Sequence, residues 1–186
     1  MYIYLKNKID FIFSILFLLI VTPILLISII LIKLESKGPI FFLQERLGLN
    51  GKVFKIYKLR TMIDKERLVN VQVFKDNPEV TKVGLFLRRF KIDELPQLIN
   101  VMLGEMSFVG PRPCLPSLQE KFDENARFRI KVKPGLTGWA QVNGNVFNTW
   151  EKRWEMDRFY VERISFLFDI KILFLTLSVI LLGEEK

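Results

Sequence analysis

The sequence predicts a mainly helical α+β fold that enters a membrane from one face, a monotopic arrangement. Its parts are an N-terminal re-entrant helix–break–helix, a small β-hairpin and amphipathic helices lying in the membrane interface. Three observations predict it. An apolar run from Phe11 to Ile32 carries Pro23 near its middle, Asn50-Gly51 joins two β-prone runs, and the apolar stretch Ile164 to Leu182 contains Asp169 and Lys171. The 186 residues suffice for one domain with a real core. Half of them are hydrophobic while 26% are charged, too apolar a mixture for an ordinary soluble domain and too charged for a multispanning membrane protein.

The N-terminal run is long enough to form a transmembrane helix. It is too long for the core of a signal peptide, and no small-residue cleavage site follows it. Two readings stay open: a spanning helix with a proline kink, or a hairpin that returns to the side it entered. Pro23 removes a backbone hydrogen bond, and each half then reaches only about 16 Å, close to one leaflet. Both flanks are basic, with Lys6 and Lys8 before and Lys33 and Lys37 after, which favours keeping both on the cytoplasmic side. The hairpin over residues 1–36 is preferred, with Thr22 and Pro23 at the break and the Thr22 hydroxyl able to bond a freed carbonyl. Residues 37–186 then form a domain on the cytoplasmic face.

Within that domain, Pro39 to Leu43 and Val53 to Tyr57 flank Gly48-Leu49-Asn50-Gly51, a strong hairpin signal. Residues 62–80 are charged and poorly periodic, and read as a surface helix or loop. Leu95, Leu98, Ile99, Met102 and Leu103 recur at helical spacing, with Pro96 tolerated in the first turn and Gly104 as the stop. Gly110-Pro111-Arg112-Pro113 and Pro134 to Trp139 read as turns, and residues 116–132 as helical. From Thr149 onward one or two helices follow. Asp169 and Lys171 make a second span unattractive and suit a helix in the interface or packed on the membrane element. Trp139, Trp150 and Trp154 would suit headgroup level.

A net charge of +8 draws the polar surface to anionic partners: phospholipid head groups, nucleic acid or phosphorylated metabolites. The chain has one cysteine, Cys114, so no intramolecular disulfide can form, and it reads as structural. It has no histidine, which excludes Ser-His-Asp and Cys-His nucleophiles and His-based zinc sites. Chemistry falls to Asp, Glu, Lys, Tyr or metal-bound water. Asp93-Glu94 sits at a helix start, where the dipole keeps a carboxylate ionised as a nucleophile or metal ligand requires. Such residues also serve as plain helix caps. Arg88, Arg89 and Lys91 precede the pair, Arg112 stands in a stiff Pro-Arg-Pro frame, and Lys58 and Arg60 end a hairpin strand. Each basic run alone reads as a solvated or lipid-facing surface. Together with the carboxylates they suggest a metal–phosphate site. No nucleic-acid recognition module is present.

Three motifs resemble the bacterial sugar transferase family, the monotopic phosphoglycosyl transferases. They are Lys58 to Met62, Asp93-Glu94-Leu95-Pro96-Gln97-Leu98-Ile99-Asn100-Val101 and Gly104 to Pro113, and Pro134 to Gly144 continues the match. The resemblance implies a proline-broken re-entrant helix, a site on the cytoplasmic face of the bacterial inner membrane, Mg²⁺, and an Asp-Glu dyad that maps onto Asp93 and Glu94. Asp93 would be the nucleophile and a metal ligand. Arg88, Arg112, Lys58 and Arg60 would bind substrate phosphates. The implied partners are a UDP-sugar donor, polyprenyl (undecaprenyl) phosphate as acceptor, membrane lipids and downstream glycosyltransferases, without nucleic acid. The implied course is two-step: the aspartate takes the phosphosugar and expels UMP, and the lipid phosphate then removes it. Among family members the chain is most similar to small ones that carry N,N′-diacetylbacillosamine phosphate. It departs from the family in having Thr22-Pro23 where many relatives have Ser-Pro, and Asn145 where an arginine often follows the glycine. A rival reading is a non-catalytic peripheral membrane protein that binds anionic lipids.

Overall fold

The first helix, α1 (Tyr2–Glu35), has its polarity inside out, and this sets the architecture. The computed structural model describes residues 2–65 and 77–182. Lys6, Asp10, Ser14, Ser28 and Ile32 are buried, and Leu18, Val21 and Leu25 are half-buried between them. These positions recur every three or four residues, so one stripe about 39 Å long faces the rest of the protein. The remaining faces are apolar and exposed, including Ile12, Leu19, Ile20, Ile27 and Leu34. A helix that hides lysine and aspartate while presenting leucine and isoleucine outward is built for hydrocarbon surroundings. By length and composition α1 could cross a membrane.

Pro23 lies inside this single helical element, so the expected break appears as one continuous run of helix. Proline deletes only its own amide donor, and the bonds on either side carry the helix past it. Thr22 Oγ1 donates to the Leu18 carbonyl at 2.7 Å. The carbonyl deprived by proline is that of Leu19, so the hydroxyl reinforces the adjoining turn instead of serving the freed group.

Both ends of α1 are fastened to the same body. Near its start, Tyr2 Oη and Lys6 Nζ each donate to Asp169 Oδ2 at 2.5 Å. Asp169 belongs to α7 (Phe166–Leu182) and also lies 2.7 Å from the hydroxyl of Tyr160 on α6 (Trp150–Glu162). At its other end, Leu25, Ile29 and Ile32 join Leu59, Leu87 and Ile92 in one apolar cluster. Beyond the last turn, Arg60 donates to the carbonyls of Ser36 and Lys37.

The hairpin forms as expected. β1 (Phe41–Leu47) pairs antiparallel with β2 (Val53–Leu59), and Asn50 and Gly51 turn the chain with φ of 56° and 75°. α2 (Lys82–Arg89) follows, capped by Thr81 Oγ1 on Gly84 N and by Glu35 on the amides of Lys82 and Val83. Of the surface segment expected over 62–80, Met62 bridges Val80, and 66–76 lie outside the described residues. The helix expected from Leu95 starts as a 3₁₀ segment, Ile92–Gln97, and becomes α-helical only as α3 (Leu98–Met102).

Three further expectations need correction. The turns around Gly110 and Gly135 flank strands β3 (Ser107–Val109) and β4 (Gly135–Thr137), which pair in parallel. Three-residue strands bounded by glycine and proline show no alternation to detect. Residues 116–132 form a 3₁₀ segment, Pro116–Lys121, and a single turn α4 (Ala126–Arg129), separated where Asp123 caps Ala126 N. A short helix α5 (Trp139–Val142) precedes α6. Trp154 is 5% exposed and packs on Phe122, so it is a core residue and not a headgroup anchor. Lys171 remains outside, its ammonium 5.4 Å from the Trp139 ring.

Removing one partner of a buried ion pair typically costs about 3–5 kcal/mol. Asp169→Ala should therefore lower the melting temperature in detergent and expose residues 2–10 to protease. Unchanged melting and protection would mean that the Tyr2–Lys6–Asp169–Tyr160 network does not hold α1.

Candidate active site

Lys91 adopts a left-handed conformation (φ 56°, ψ 20°), which folds the chain sharply before Ile92 and delivers Asp93 and Glu94 into the interior at consecutive positions. Asp93 is 8% exposed. The two carboxylates, adjacent in sequence, meet different surroundings.

Glu94 is fully engaged. Its Oε1 accepts from Lys58 Nζ at 2.7 Å and from Arg112 Nη2 at 2.8 Å, and Oε2 lies 3.5 Å from Arg112 Nη1. Burial alone would raise this carboxyl, but Arg112 and Lys58 override it and hold Glu94 well below the usual carboxylate range. Burial lowers the Lys58 ammonium, against the pull of Glu94. Asp93 shows the opposite behaviour. Burial and the neighbouring charge of Glu94 push it up, against Lys58, Arg88 and Lys91. Its Oδ1 is buried without a hydrogen-bond partner among the described residues. One carboxylate is thus neutralised by two cations, while the other keeps an unused oxygen and a raised basicity.

Three supports hold this arrangement. Asn100, wholly buried on α3, donates to Lys55 O at 2.8 Å and accepts from Tyr57 N at 3.1 Å, fixing β2 beside the 3₁₀ segment. The Gly110 and Gly135 backbones cross so closely that a Cβ at Gly135 would lie 2.1 Å from Gly110 N, which locks the Pro111–Pro113 loop onto β4. Arg129, 6% exposed, donates to the backbone carbonyl of Arg112 at 2.6 Å and pairs with Asp157 Oδ2 at 3.4 Å. Burial, against Arg129 and Arg153, pushes the Asp157 carboxyl up to about 6. Asn100, Arg129 and Asp157 carry no chemistry legible in one sequence, since each acts through backbone atoms or a distant partner.

Of the residues expected at the site, Lys58, Glu94 and Arg112 come into direct contact. Arg88 donates from Nε to Thr61 Oγ1 at 2.9 Å, and its charge reaches Asp93. Arg60 does not join them: it is 6% exposed and its guanidinium is turned to Ser36 and Lys37, so it caps the end of α1 instead of facing a substrate. Thr22 and Pro23 lie exposed in α1. Cys114 is buried, as a structural thiol should be. Among the described residues no three His, Cys, Asp or Glu side chains converge as a metal cage. The free oxygen of Asp93 fits a cation that takes one protein carboxylate and completes its shell with phosphate oxygens and water, the usual habit of Mg²⁺.

The profile of the family described as Bacterial sugar transferase matches residues 1–183. The chain is 44% identical over 180 residues to an uncharacterized sugar transferase of Bacillus subtilis, EpsL, covering 97% of this chain and 89% of that protein. It is 44% identical over 182 residues to the UDP-glucose:undecaprenyl-phosphate glucose-1-phosphate transferase of Escherichia coli, covering 92% of this chain and 39% of that protein. It is 38% identical over 189 residues to the UDP-N-acetylgalactosamine-undecaprenyl-phosphate N-acetylgalactosaminephosphotransferase of Aeromonas hydrophila, covering 98% and 45%. The chain therefore spans less than half of these two longer relatives.

Glu94→Gln would leave Lys58 and Arg112 facing each other without a counter-charge, a loss of about 2 kcal/mol for a pair still partly open to solvent. The variant should melt lower, and inorganic diphosphate should raise its melting temperature more than it raises the wild type's. An equal response in both would refute this account of Glu94.

Proposed function

The chain belongs to the bacterial sugar transferase family, and from that premise we propose that it moves a sugar 1-phosphate from a UDP-sugar to undecaprenyl phosphate. The observation that carries the reading is the asymmetric dyad: Glu94 tied to Lys58 and Arg112, Asp93 buried with a free oxygen. A nucleophilic carboxylate needs an unoccupied oxygen and little solvation, and a diphosphate substrate needs cations close by.

In the proposed course an Asp93 oxygen attacks the β-phosphorus of the donor. The Asp93 O–P bond forms, the bond to the bridging oxygen breaks, and UMP departs with that electron pair. An oxygen of the lipid phosphate then attacks the same phosphorus, releasing the Asp93 carboxylate and leaving a lipid diphosphate sugar. No proton has to be removed from either nucleophile, which suits a chain without histidine. Lys58 and Arg112 hold Glu94 and present positive charge to the transferred group, and Arg88 balances the charge of Asp93. Mg²⁺, when bound at Asp93 with substrate oxygens, would supply further charge neutralisation.

Donor identity is the finer part of the reading. The relatives named above carry glucose and N-acetylgalactosamine in their names, and the motif resemblance adds N,N′-diacetylbacillosamine. A donor panel of these three UDP-sugars decides among them by UMP release. Asp93→Asn should reduce that release at least about a thousandfold, as loss of an essential nucleophile does. With donor alone, wild type should gain the mass of one phosphosugar on the peptide containing Asp93. Turnover without that adduct would favour direct displacement.

The membrane arrangement we infer is re-entrant, with the site on the cytoplasmic face. Support comes from α1, whose two ends are bound to one body through Asp169 and through Arg60. Fastening both ends of one helix to a single body favours keeping both ends on the same side of the bilayer. Single cysteines placed at Ile3 and at Lys37, in a Cys114→Ser background, should react with a membrane-impermeant reagent only from the cytoplasmic side. Labelling of Ile3→Cys from the opposite side would establish a spanning helix.

A further inference from the structure

Arg46 on β1 is a half-buried guanidinium that, among the described residues, donates to a neutral group, the Oε1 of Gln44, at 2.5 Å. Among the described residues no carboxylate stands at ion-pair distance from it. The register places it precisely enough to locate its surroundings: Arg46 is opposite Phe54, Gln44 opposite Ile56 and Phe42 opposite Lys58. Side chains alternate along a strand, so Arg46 and Lys58 share one hairpin face, the face on which Phe54 and Ile56 are buried. At the next residue, Leu47 N donates to Cys114 O at 2.9 Å, joining the end of β1 to the Pro111–Pro113 loop. Leu47, Gly48, Pro111 and Arg112 line one small cleft there. Arg46 therefore arises beside the loop that carries Arg112. Burial and the like charge of Arg112, against the pull of the Cys114 thiol and of Glu94, lower it to about 10.

Two guanidiniums held side by side at a partly buried site repel unless an anion lies between them. Glu94 is already shared between Lys58 and Arg112, so the cluster carries surplus positive charge. An oxyanion with several oxygens can accept from two guanidinium forks at once. We propose that Arg46 and Arg112 together form a phosphate clamp that binds a substrate phosphate group. This deepens the transferase reading and rests on it. The group belongs either to the diphosphate of the nucleotide sugar or to the phosphate of the lipid acceptor. Gln44 holds the Arg46 fork in place until that group arrives.

The test uses the full chain in detergent with Arg46→Gln and Arg46→Lys. Calorimetric titration with inorganic diphosphate should show about a tenfold or greater weakening in Arg46→Gln, the loss expected for one charge-assisted hydrogen bond. Arg46→Lys should recover part of it, because lysine restores charge without the fork. Half-saturating concentrations for UDP-sugar and for undecaprenyl phosphate then assign the group: a rise confined to the donor names the diphosphate, and a rise confined to the acceptor names the lipid phosphate. Unchanged binding and unchanged half-saturation in an Arg46→Gln protein that melts with wild type would overturn the clamp. Wild type that binds diphosphate through Arg46 but releases no UMP would refute the transferase reading while leaving the clamp standing.

Discussion

Everything at the site depends on the three-way contact of Lys58, Glu94 and Arg112. The residues come from a hairpin strand, a 3₁₀ segment and a proline-framed loop, which are far apart in sequence and joined here by one carboxylate. Surface ion pairs contribute little, but here Lys58 and Glu94 are mostly shielded while Arg112 stays partly open to solvent, so the buried charges need their partners. The cost of assembling it is met by neighbours that make the segments stiff before they meet. Asn100 ties α3 to β2, the Gly110–Gly135 crossing fixes the loop, and Arg129 holds the carbonyl of Arg112 itself. With Glu94 saturated in this way, the adjacent Asp93 is left with raised basicity and an Oδ1 that has no hydrogen-bond partner among the described residues. The difference between two neighbouring carboxylates comes from what surrounds them and not from their own chemistry.

A second constraint acts from the membrane side. α1 buries Lys6, Asp10, Ser14 and Ser28 and exposes its leucines and isoleucines, so it must gain a polar partner along one stripe and hydrocarbon along the rest. α7 follows the same rule, with Asp169 and Ile172 inward and Phe166, Leu167, Phe174 and Leu181 outward. Asp169 is the point where the two helices meet, which explains an acidic residue inside an otherwise apolar C-terminal run. In water such a residue would be unremarkable; in this setting it is one of the few groups able to satisfy Lys6.

The sequence made parts of this legible for definite reasons. Asn50-Gly51 shows itself because positive φ at two successive positions favours those residue types. Lys58, Asp93, Glu94 and Arg112 stand out because charged residues embedded in apolar or proline-rich segments need an explanation. The β3–β4 pair was hidden because parallel pairing of two three-residue strands leaves no periodic trace. The true task of Arg60 was hidden too. Side-chain alternation separates it from Lys58 by only one intervening residue, yet a guanidinium can reach either a substrate or a helix end, and composition does not choose. Trp154 shows the same limit: an aromatic that suits an interface suits a core equally well.

The run Lys58-Leu59-Arg60-Thr61 then acquires a meaning that no single residue in it has. Lys58 holds Glu94, Leu59 enters the apolar cluster with Ile32 of α1 and Leu87 of α2, Arg60 caps the end of α1, and Thr61 accepts from Arg88. Four consecutive positions thus couple the dyad, the core, the membrane helix and the arginine whose charge reaches Asp93. An extended chain rises about 3.3 Å per residue, so Lys58 and Thr61 stand only about 10 Å apart along the backbone, and the ties to Glu94, to the end of α1 and to Arg88 all leave from that short run. The position of Glu94 relative to the end of α1 is thereby carried by one short run of chain. Moving the run by a single residue would put the apolar side chain of Leu59 where Lys58 meets Glu94 and would break that contact.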